Sequence, residues 1–297
     1  MTAKIQTDRY TSLRNYIENC PIEANNNEPL NPGGWRQYYI IFTHCHYDHT
    51  GGILQFLAGG TTEIIASAAG KQFIQSDFEG HALYKYIDKP APYFHYTWWA
   101  ESFERLKWPP WHDKEGPKPY QNDLGLSIIH TPGHTPDELA WYDHYEMHLS
   151  CGDSFYEEGD DEMPILFPRE GNLIEWVFSM QKLAVFVRSE NARALKEAEQ
   201  HAGEEGWVSV PKRVTVSCAH QTSKADGEEI LGSLEKFAAR VYGGEVSIAN
   251  KEIWHGEAYC WWRDEEGQGD EKYRMSIKAP ARLMDETRRF FGLHVEQ

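Results

Sequence analysis

Three histidines and one aspartate lie within the six-residue stretch HCHYDH at positions 44–49. Imidazole nitrogen suits zinc and iron, and a carboxylate adds a hard oxygen ligand. His44 and His46 alternate, so in an extended segment both side chains point the same way. Asp48 and His49 are then free to turn toward a second ion. Four such donors exceed what one ion needs, and the stretch predicts a metal site rather than a solvated histidine-rich loop.

Three more potential ligands follow, each predicted to lie just after a strand, where a loop can present a side chain. His134 lies in the turn-forming sequence TPGHTP at residues 131–136, Asp153 ends SCGD, and His220 ends SCAH. Taken singly, each residue is more often a structural turn residue than a ligand. Their order along the chain, after HCHYDH, favours the metal site.

The elements that position these residues alternate between strands and helices. A β-branched and aromatic run at Tyr38–Phe42 predicts a buried strand leading directly into His44. Further strands are predicted at Glu63–Ala66, Leu126–Ile129, Leu139–Tyr142, Met147–Cys151 and Arg213–Ser217, and helices at Asn172–Glu190 and Asp226–Tyr242. Repeated strand-to-helix succession predicts an α/β fold.

Residues 81–120 have a different composition, rich in tryptophan, tyrosine and proline. Proline interrupts regular elements, so we predict an aromatic insertion or lid with short helical pieces. Its aromatic residues Tyr93, Phe94, Tyr96, Trp98 and Trp99 could wall a pocket for an apolar or planar small molecule. Core filling inside a long insertion is the alternative.

Composition excludes several function classes. With 46 acidic and 29 Lys/Arg residues among 297, the net charge is −17, which disfavours nucleic acid and anionic membranes as partners. No run of 18 apolar residues occurs, so no membrane span is predicted. The five cysteines are odd in number, widely spaced and without a CxxC pair. We therefore expect no disulfide framework, and we expect a reducing, cytoplasmic location.

The chain contains HxHxDH followed by GG, then PGHT, then GD, then a histidine at a strand end. This series of motifs resembles the metallo-β-lactamase superfamily of dinuclear metal hydrolases. The resemblance extends from Tyr38 to about Val241. It implies an αββα sandwich, here a single domain over residues 1–297 with the insertion or lid at about 81–120. It also implies two divalent metal ions, zinc foremost, although these ligands accept manganese and iron as well.

Carried onto this chain, the resemblance divides the seven ligands between two ions and a bridge. The first ion would be held by His44, His46 and His134, the second by Asp48, His49 and His220, and Asp153 would bridge them. Aspartate rather than cysteine at position 153 resembles the lactonase and thioesterase branches of the superfamily. The branch whose β-lactamases bind zinc through a thiolate differs here.

Such a site implies hydrolysis of a small-molecule substrate. A metal-bridging hydroxide would open a small cyclic ester or amide, with Asp48 passing a proton to the leaving group. No GxSxG sequence suggests a protein nucleophile. Tyr156, three residues after Asp153, matches an Asp-x-x-Tyr pattern of lactonases in which the phenol contacts substrate. A packed loop tyrosine is the alternative.

Two other functions stay open. One is a thioesterase resembling glyoxalase II, which the scarcity of basic clusters weakly disfavours. The other is a non-catalytic binding protein, because only residues 1–43 precede His44, whereas the superfamily places several strands there. We expect those strands to be missing, which would leave a sheet edge open to self-association as a homo-oligomer.

Overall fold

The computed structural model describes residues 12–59, 62–108, 122–159, 162–202, 210–263 and 272–293. Contacts between Cα atoms divide the chain into an N-terminal unit, residues 1–102, and a C-terminal unit, residues 103–297. Each unit is described separately. The single domain expected over residues 1–297 stays a prediction.

The N-terminal unit contains a three-stranded parallel sheet with short helices. Its strands, in sheet order, are β1 (Tyr38–Ile41), β2 (Thr62–Ser67) and β3 (Trp98–Ala100). Its α-helices are α1 (Leu13–Asn19), α2 (Tyr47–Thr50), α3 (Leu54–Leu57), α4 (Lys71–Ser76) and α5 (Phe78–His81). Three 3-10 helices cover Glu23–Asn25, Pro32–Gly34 and Tyr84–Ile87. Phe42, Ile53 and Ile64 form a buried apolar cluster in this unit.

The C-terminal unit contains two sheets. The six-stranded sheet has the order β10-β9-β7-β6-β5-β4, with bounds β4 Arg105–Trp108, β5 Asn122–His130, β6 Leu139–Asp143, β7 His148–Ser150, β9 Thr215–Ser217 and β10 Ala225–Asp226. The four-stranded sheet has the order β11-β12-β13-β8, with bounds β8 Ile165–Leu166, β11 Ile248–Trp254, β12 Glu257–Arg263 and β13 Ser276–Pro280. Strands β7 and β9 are parallel neighbours, so their carboxyl ends lie at one sheet edge.

Three helices complete the C-terminal unit: α6 (Leu173–Gln200), α7 (Gly227–Tyr242) and α8 (Ala281–Phe290). Asn172 and Asp226 cap α6 and α7, because each side-chain oxygen accepts two backbone N–H groups of the first turn. One buried cluster joins residues of both sheets to residues of α6 and α7, including Tyr142, Ile277 and Leu183. Burial of this cluster from both sheets supplies the main hydrophobic stabilisation of the unit.

The α/β class predicted from the sequence is confirmed, and every predicted strand and long helix overlaps an observed one. Residues 248–290 were not predicted, although they supply β11, β12, β13 and α8. Residues 98–108 of the predicted insertion form β3 and β4, which pair with other strands rather than lying in a loop. Residues 109–121 of that segment lie outside the described residues.

Two observations concern cysteines and membranes. All five cysteines are free thiols. Among the described residues, no helix has both the length and the apolar character required to cross a membrane.

Candidate metal centre

The HCHYDH stretch changes conformation in its middle. His46 has extended dihedral angles and immediately precedes α2, whose first turn contains Asp48 and His49. The backbone N–H and the hydroxyl of Thr50 both donate to the His46 carbonyl, at 3.0 and 2.9 Å, and so close this turn. His46 therefore lies on non-helical backbone, whereas Asp48 and His49 lie on helical backbone.

Within the N-terminal unit the imidazoles of this stretch converge. The Nε2 of His44 lies 2.9 Å from the Nδ1 of His46, and both side chains are buried. Two nitrogens bound tetrahedrally to one zinc ion at 2.0–2.1 Å would lie about 3.3 Å apart, close to the observed spacing. The His49 ring centroid lies 4.0 Å from that of His44, and the His49 Nε2 lies 3.6 Å from the Oδ2 of Asp48.

Thr43 orients two of these rings. Its Oγ1 lies 3.2 Å from the Nδ1 of His44 and 3.1 Å from the Nδ1 of His49. The hydroxyl oxygen has two lone pairs, so it can accept from the Nδ1–H of both rings. Both Nδ1 atoms are thereby held, and the Nε2 atoms of His44 and His49 are the atoms available as metal ligands.

In the C-terminal unit, the PGHT turn packs against the first turns of α6. A Cβ atom on Gly133, whose φ is +153°, would lie 2.5 Å from the Cβ and 2.6 Å from the Cα of Trp176. Only glycine fits this approach. The Ser179 hydroxyl donates to the Pro132 carbonyl at 2.7 Å, which also ties the turn to α6. The helix thus fixes the position of the residue that follows, His134.

His134 and His220 both approach one oxygen of Asp153. The Nε2 atoms of His134 and His220 lie 3.8 and 3.3 Å from the Asp153 Oδ2. The Nδ1–H of His134 donates to the Leu166 carbonyl at 2.7 Å. Because a carbonyl only accepts, this bond fixes the tautomer and leaves Nε2 as the ligand atom.

The loops that carry Asp153 and His220 follow β7 and β9 and are joined to each other. The backbone N–H of Ala219 donates to the Gly152 carbonyl at 2.7 Å. His220 has a φ of +69°, in the left-handed region that few residues other than glycine adopt. Such conformations persist where the surrounding structure imposes them, and they cluster at functional sites.

Sequence reasoning missed two buried acids beside this centre, Asp137 and Glu138. The Glu138 Oε1 accepts from the Asp153 backbone N–H at 2.8 Å, and the Ser154 hydroxyl lies 3.4 Å away. Burial raises the pKa of Glu138 well above its usual range, and the nearby carboxyls of Asp153 and Asp137 add to this effect. The signal available in the sequence was a pair of acids between the PGHT turn and a buried strand.

Tyr156 is buried beside the same loops. Its hydroxyl donates to the Pro164 carbonyl at 2.8 Å and accepts from the Leu166 N–H at 3.3 Å. Its ring lies edge-on to His220, with centroids 5.2 Å apart. The predicted contact between this hydroxyl and a substrate stays a prediction.

Comparison with known proteins identifies the family. The model of the metallo-beta-lactamase superfamily matches residues 30–200, more than half of the chain. The chain belongs to the metallo-beta-lactamase superfamily. Six of the seven predicted ligands lie within the matched residues, and only His220 follows them.

Three proteins with known names have similar sequences. A candidate transcription factor, avaE, of Aspergillus versicolor is 27% identical over 82% of this chain and 64% of its own length. Hydroxyacylglutathione hydrolase of Aeromonas hydrophila is 28% identical over 49% of this chain and 42% of its length. Human acyl-coenzyme A thioesterase MBLAC2 is 26% identical over 48% of this chain and 45% of its length. The chain thus covers less than two thirds of each of these relatives.

Solved structures resemble the chain at a low level. The metallo-beta-lactamase family protein TTHA1429 from Thermus thermophilus superposes with a TM-score of 0.43 and 17% sequence identity, covering 72% of this chain and 65% of that one.

Superfamily members bind divalent metals, and the donors found here fit such ions. Each unit presents imidazole nitrogens together with a carboxylate, and these are ligands that zinc, iron and manganese share. The partners of the Nδ1 atoms in both units have the form expected around metal-binding histidines, where an outer hydrogen bond fixes ring orientation.

The aromatic segment does line a cleft, which lies in the N-terminal unit. The cleft has a volume of about 300 Å³ and is lined by Ile74, Gln75, Phe78, Pro92, Tyr93, Phe94, His95, Tyr96 and Trp99. Ile74 also belongs to a buried cluster with Cys45, the residue between His44 and His46. Four of the five predicted wall residues therefore line the cleft, and Trp98 does not. The nature of the molecule that the cleft would bind stays a prediction.

Proposed function

We propose that the seven predicted ligands form one dinuclear centre and that the chain is a metal-dependent hydrolase. The observation that carries the proposal is the approach of His134 and His220 to the same oxygen of Asp153. If Asp153 held two ions, His134 and His220 would each be placed to hold one of them. The HCHYDH stretch supplies the remaining donors.

The proposed division of ligands is the one that the sequence predicted. One ion takes His44, His46 and His134, the other takes Asp48, His49 and His220, and Asp153 is shared. When bound, two divalent ions, here proposed as zinc, supply an ionised water at neutral pH and polarise a carbonyl group.

The protein's own groups orient these donors and move a proton. Thr43 and the Leu166 carbonyl hold imidazoles of the two units at their Nδ1 atoms. Glu138 holds the backbone of Asp153. The Asp48 side chain is 29% exposed, so one of its carboxylate oxygens can exchange a proton with a leaving group.

Two substrate classes follow. The aromatic cleft supports a small cyclic ester or amide, opened by a lactonase-like or lactamase-like reaction. Aspartate rather than cysteine at position 153 fits a lactonase and a thioesterase equally. The names of two relatives, a hydroxyacylglutathione hydrolase and an acyl-coenzyme A thioesterase, support a thioester as the second candidate. Both classes present a carbonyl carbon to the same site.

The partner is proposed to be a small molecule rather than nucleic acid or a membrane. A net charge of −17 opposes binding to polyanions, and this holds despite the name of the avaE relative. Five free cysteines support a reducing compartment, which we propose to be the cytoplasm. Self-association as a homo-oligomer remains a proposal from the sequence.

The test combines metal analysis with a hydrolysis screen over lactones, lactams, an acylglutathione and an acyl-coenzyme A. Protein purified without chelator should carry about two divalent ions per chain and hydrolyse one class. The variants His46→Ala and Asp48→Ala should lose metal and turnover together. His255→Ala, at an exposed histidine outside the motif series, is the matched control and should retain both.

Two results would contradict the proposal. Wild-type protein without zinc, iron or manganese would refute the metal centre. Full metal content without turnover of any class, together with unchanged binding of a partner by His46→Ala, would instead favour the non-catalytic alternative.

A further inference from the structure

The Tyr156 hydroxyl is joined by hydrogen bonds to the short strand β8. It donates to the Pro164 carbonyl at 2.8 Å and accepts from the Leu166 N–H at 3.3 Å. The carbonyl of that same Leu166 accepts from the Nδ1–H of His134 at 2.7 Å. The hydroxyl therefore helps to hold the strand whose Leu166 carbonyl fixes a proposed ligand.

Strand β8 depends on this support because it is very short. It consists of Ile165 and Leu166, lies at the edge of its sheet, and pairs with β13 through those two residues. Few ladder hydrogen bonds hold so short an edge strand. The Phe167 N–H also donates to the Lys278 carbonyl of β13 at 2.8 Å. To these few ladder bonds the buried Tyr156 hydroxyl adds two more along β8.

The ring of Tyr156 contacts a second ligand. Its centroid lies 5.2 Å from that of His220, with an angle of 63° between the planes. Edge-to-face pairs of this kind favour one ring orientation. His220 has left-handed backbone dihedral angles, so its side chain needs neighbours that define its direction.

We propose that Tyr156 is a positioning residue that orients His134 through its hydroxyl and His220 through its ring. The inference rests on the proposed dinuclear centre and goes beyond it, because it assigns the hydroxyl to the protein backbone rather than to the substrate. To contact a substrate, the hydroxyl would have to give up its bonds to Pro164 and Leu166.

Two substitutions separate the two halves of the inference. Tyr156→Phe keeps the ring against His220 and removes both hydrogen bonds to β8. Loss of a direct outer partner typically weakens metal binding by 10–100-fold. Because Tyr156 acts one step further out, we expect a loss of about 3–10-fold, confined to the ion held by His134. Tyr156→Leu also removes the ring contact and should weaken both ions.

Tyr142→Phe is the matched control. Tyr142 is fully buried in the same unit, and its hydroxyl faces Glu190 and Arg193 rather than a ligand loop. Both variants replace a buried tyrosine by phenylalanine. The effect of Tyr142→Phe on zinc affinity therefore measures the cost of losing a buried hydroxyl away from the centre. Zinc affinity of Tyr142→Phe should equal that of wild type.

The experiment measures stepwise zinc affinity of the full-length protein by competition with a chromophoric chelator, together with the absorption spectrum of the cobalt-substituted forms. Tyr156→Phe should weaken one binding step and change the spectrum of that ion, with a fall in kcat. Unchanged affinities and spectrum in Tyr156→Phe, with turnover lost, would overturn the inference and favour direct substrate contact.

Failure of the proposed metal centre would look different, because wild-type protein would then bind no metal at all. If Tyr156→Phe does not fold, a measurement on the wild-type protein still tests the inference. The Tyr156 hydroxyl proton, donated to Pro164, should exchange slowly with water in nuclear magnetic resonance spectra, and rapid exchange would overturn the inference.

Discussion

Replacing Glu138 by alanine should lower the free energy of unfolding of the metal-free protein by about 2–5 kcal/mol. The Glu138 Oε1 accepts from the buried Asp153 N–H at 2.8 Å. Leaving that donor without an acceptor costs about 1–3 kcal/mol. The side chain is fully buried, so its removal also leaves a cavity, which adds about 1–2 kcal/mol. The Ser154 hydroxyl, 3.4 Å away, can rotate to another acceptor and adds little.

Glu138→Gln should behave differently, with an effect that depends on pH. The amide keeps an oxygen for the Asp153 N–H. Burial, reinforced by the Asp153 and Asp137 carboxyls, raises the pKa of Glu138 in the folded protein above its ordinary value of 4.5. The folded state therefore holds this proton more tightly than the unfolded state, and wild-type stability falls as pH rises from that ordinary value through the raised one. Glutamine removes this fall.

Urea unfolding, followed by tryptophan fluorescence, tests the predictions for Glu138→Ala and Glu138→Gln. The measurements are made with a chelator present and at several pH values from about 5 to about 8. Glu197→Ala is the control, because Glu197 is 60% exposed and bonds to Arg193 at 3.4 Å. Its effect should stay within about 0.5 kcal/mol. A loss below about 1 kcal/mol in Glu138→Ala would refute the anchoring role. Parallel pH curves for wild type and Glu138→Gln would refute the argument from pKa.

Three further substitutions test side-chain packing, a buried hydrogen bond and a helix cap in the C-terminal unit. Gly133→Ala would place a Cβ 2.5 Å from Trp176, so we expect a loss of at least about 3 kcal/mol by calorimetry and would reject the argument if stability held. Trp176→Phe removes the indole N–H that donates to the Ser154 carbonyl at 2.5 Å, and urea unfolding should show a loss of about 1–3 kcal/mol rather than none. Asp226→Ala removes the cap of α7, which should cost about 1–2 kcal/mol. Because the hydrogen bond from Arg213 lowers the Asp226 pKa below 3.8, this difference should persist at neutral pH and vanish as pH falls through the lowered value.

The N-terminal half of the ligand set was predictable because its geometry is local. His44 and His46 are two residues apart directly before α2, and their imidazole rings lie together. A helical turn that begins directly afterwards redirects Asp48 and His49. Both properties depend on residues adjacent in sequence, so the motif determines them without knowledge of the rest of the fold.

The outer contacts could not be predicted in the same way. Strand β8 has two residues, too few to show periodicity, and its pairing with β13 joins segments more than a hundred residues apart. The partner of the Tyr156 hydroxyl and the Nδ1 partner of His134 both lie on or beside this strand. Sequence identified both side chains as candidates, whereas their partners depend on tertiary pairing.

The acids beside the PGHT turn favour a bound cation on energetic grounds. Asp137, Glu138 and Asp153 are 1%, 0% and 6% exposed, all in the C-terminal unit. Burying carboxylates costs several kcal/mol each unless positive charge or hydrogen bonds offset it. A divalent ion shared by Asp153 would supply that charge, and its binding free energy would then contribute to folding. Asp153 is the acid whose burial a metal ion would offset, because the raised pKa of Glu138 already favours its uncharged form.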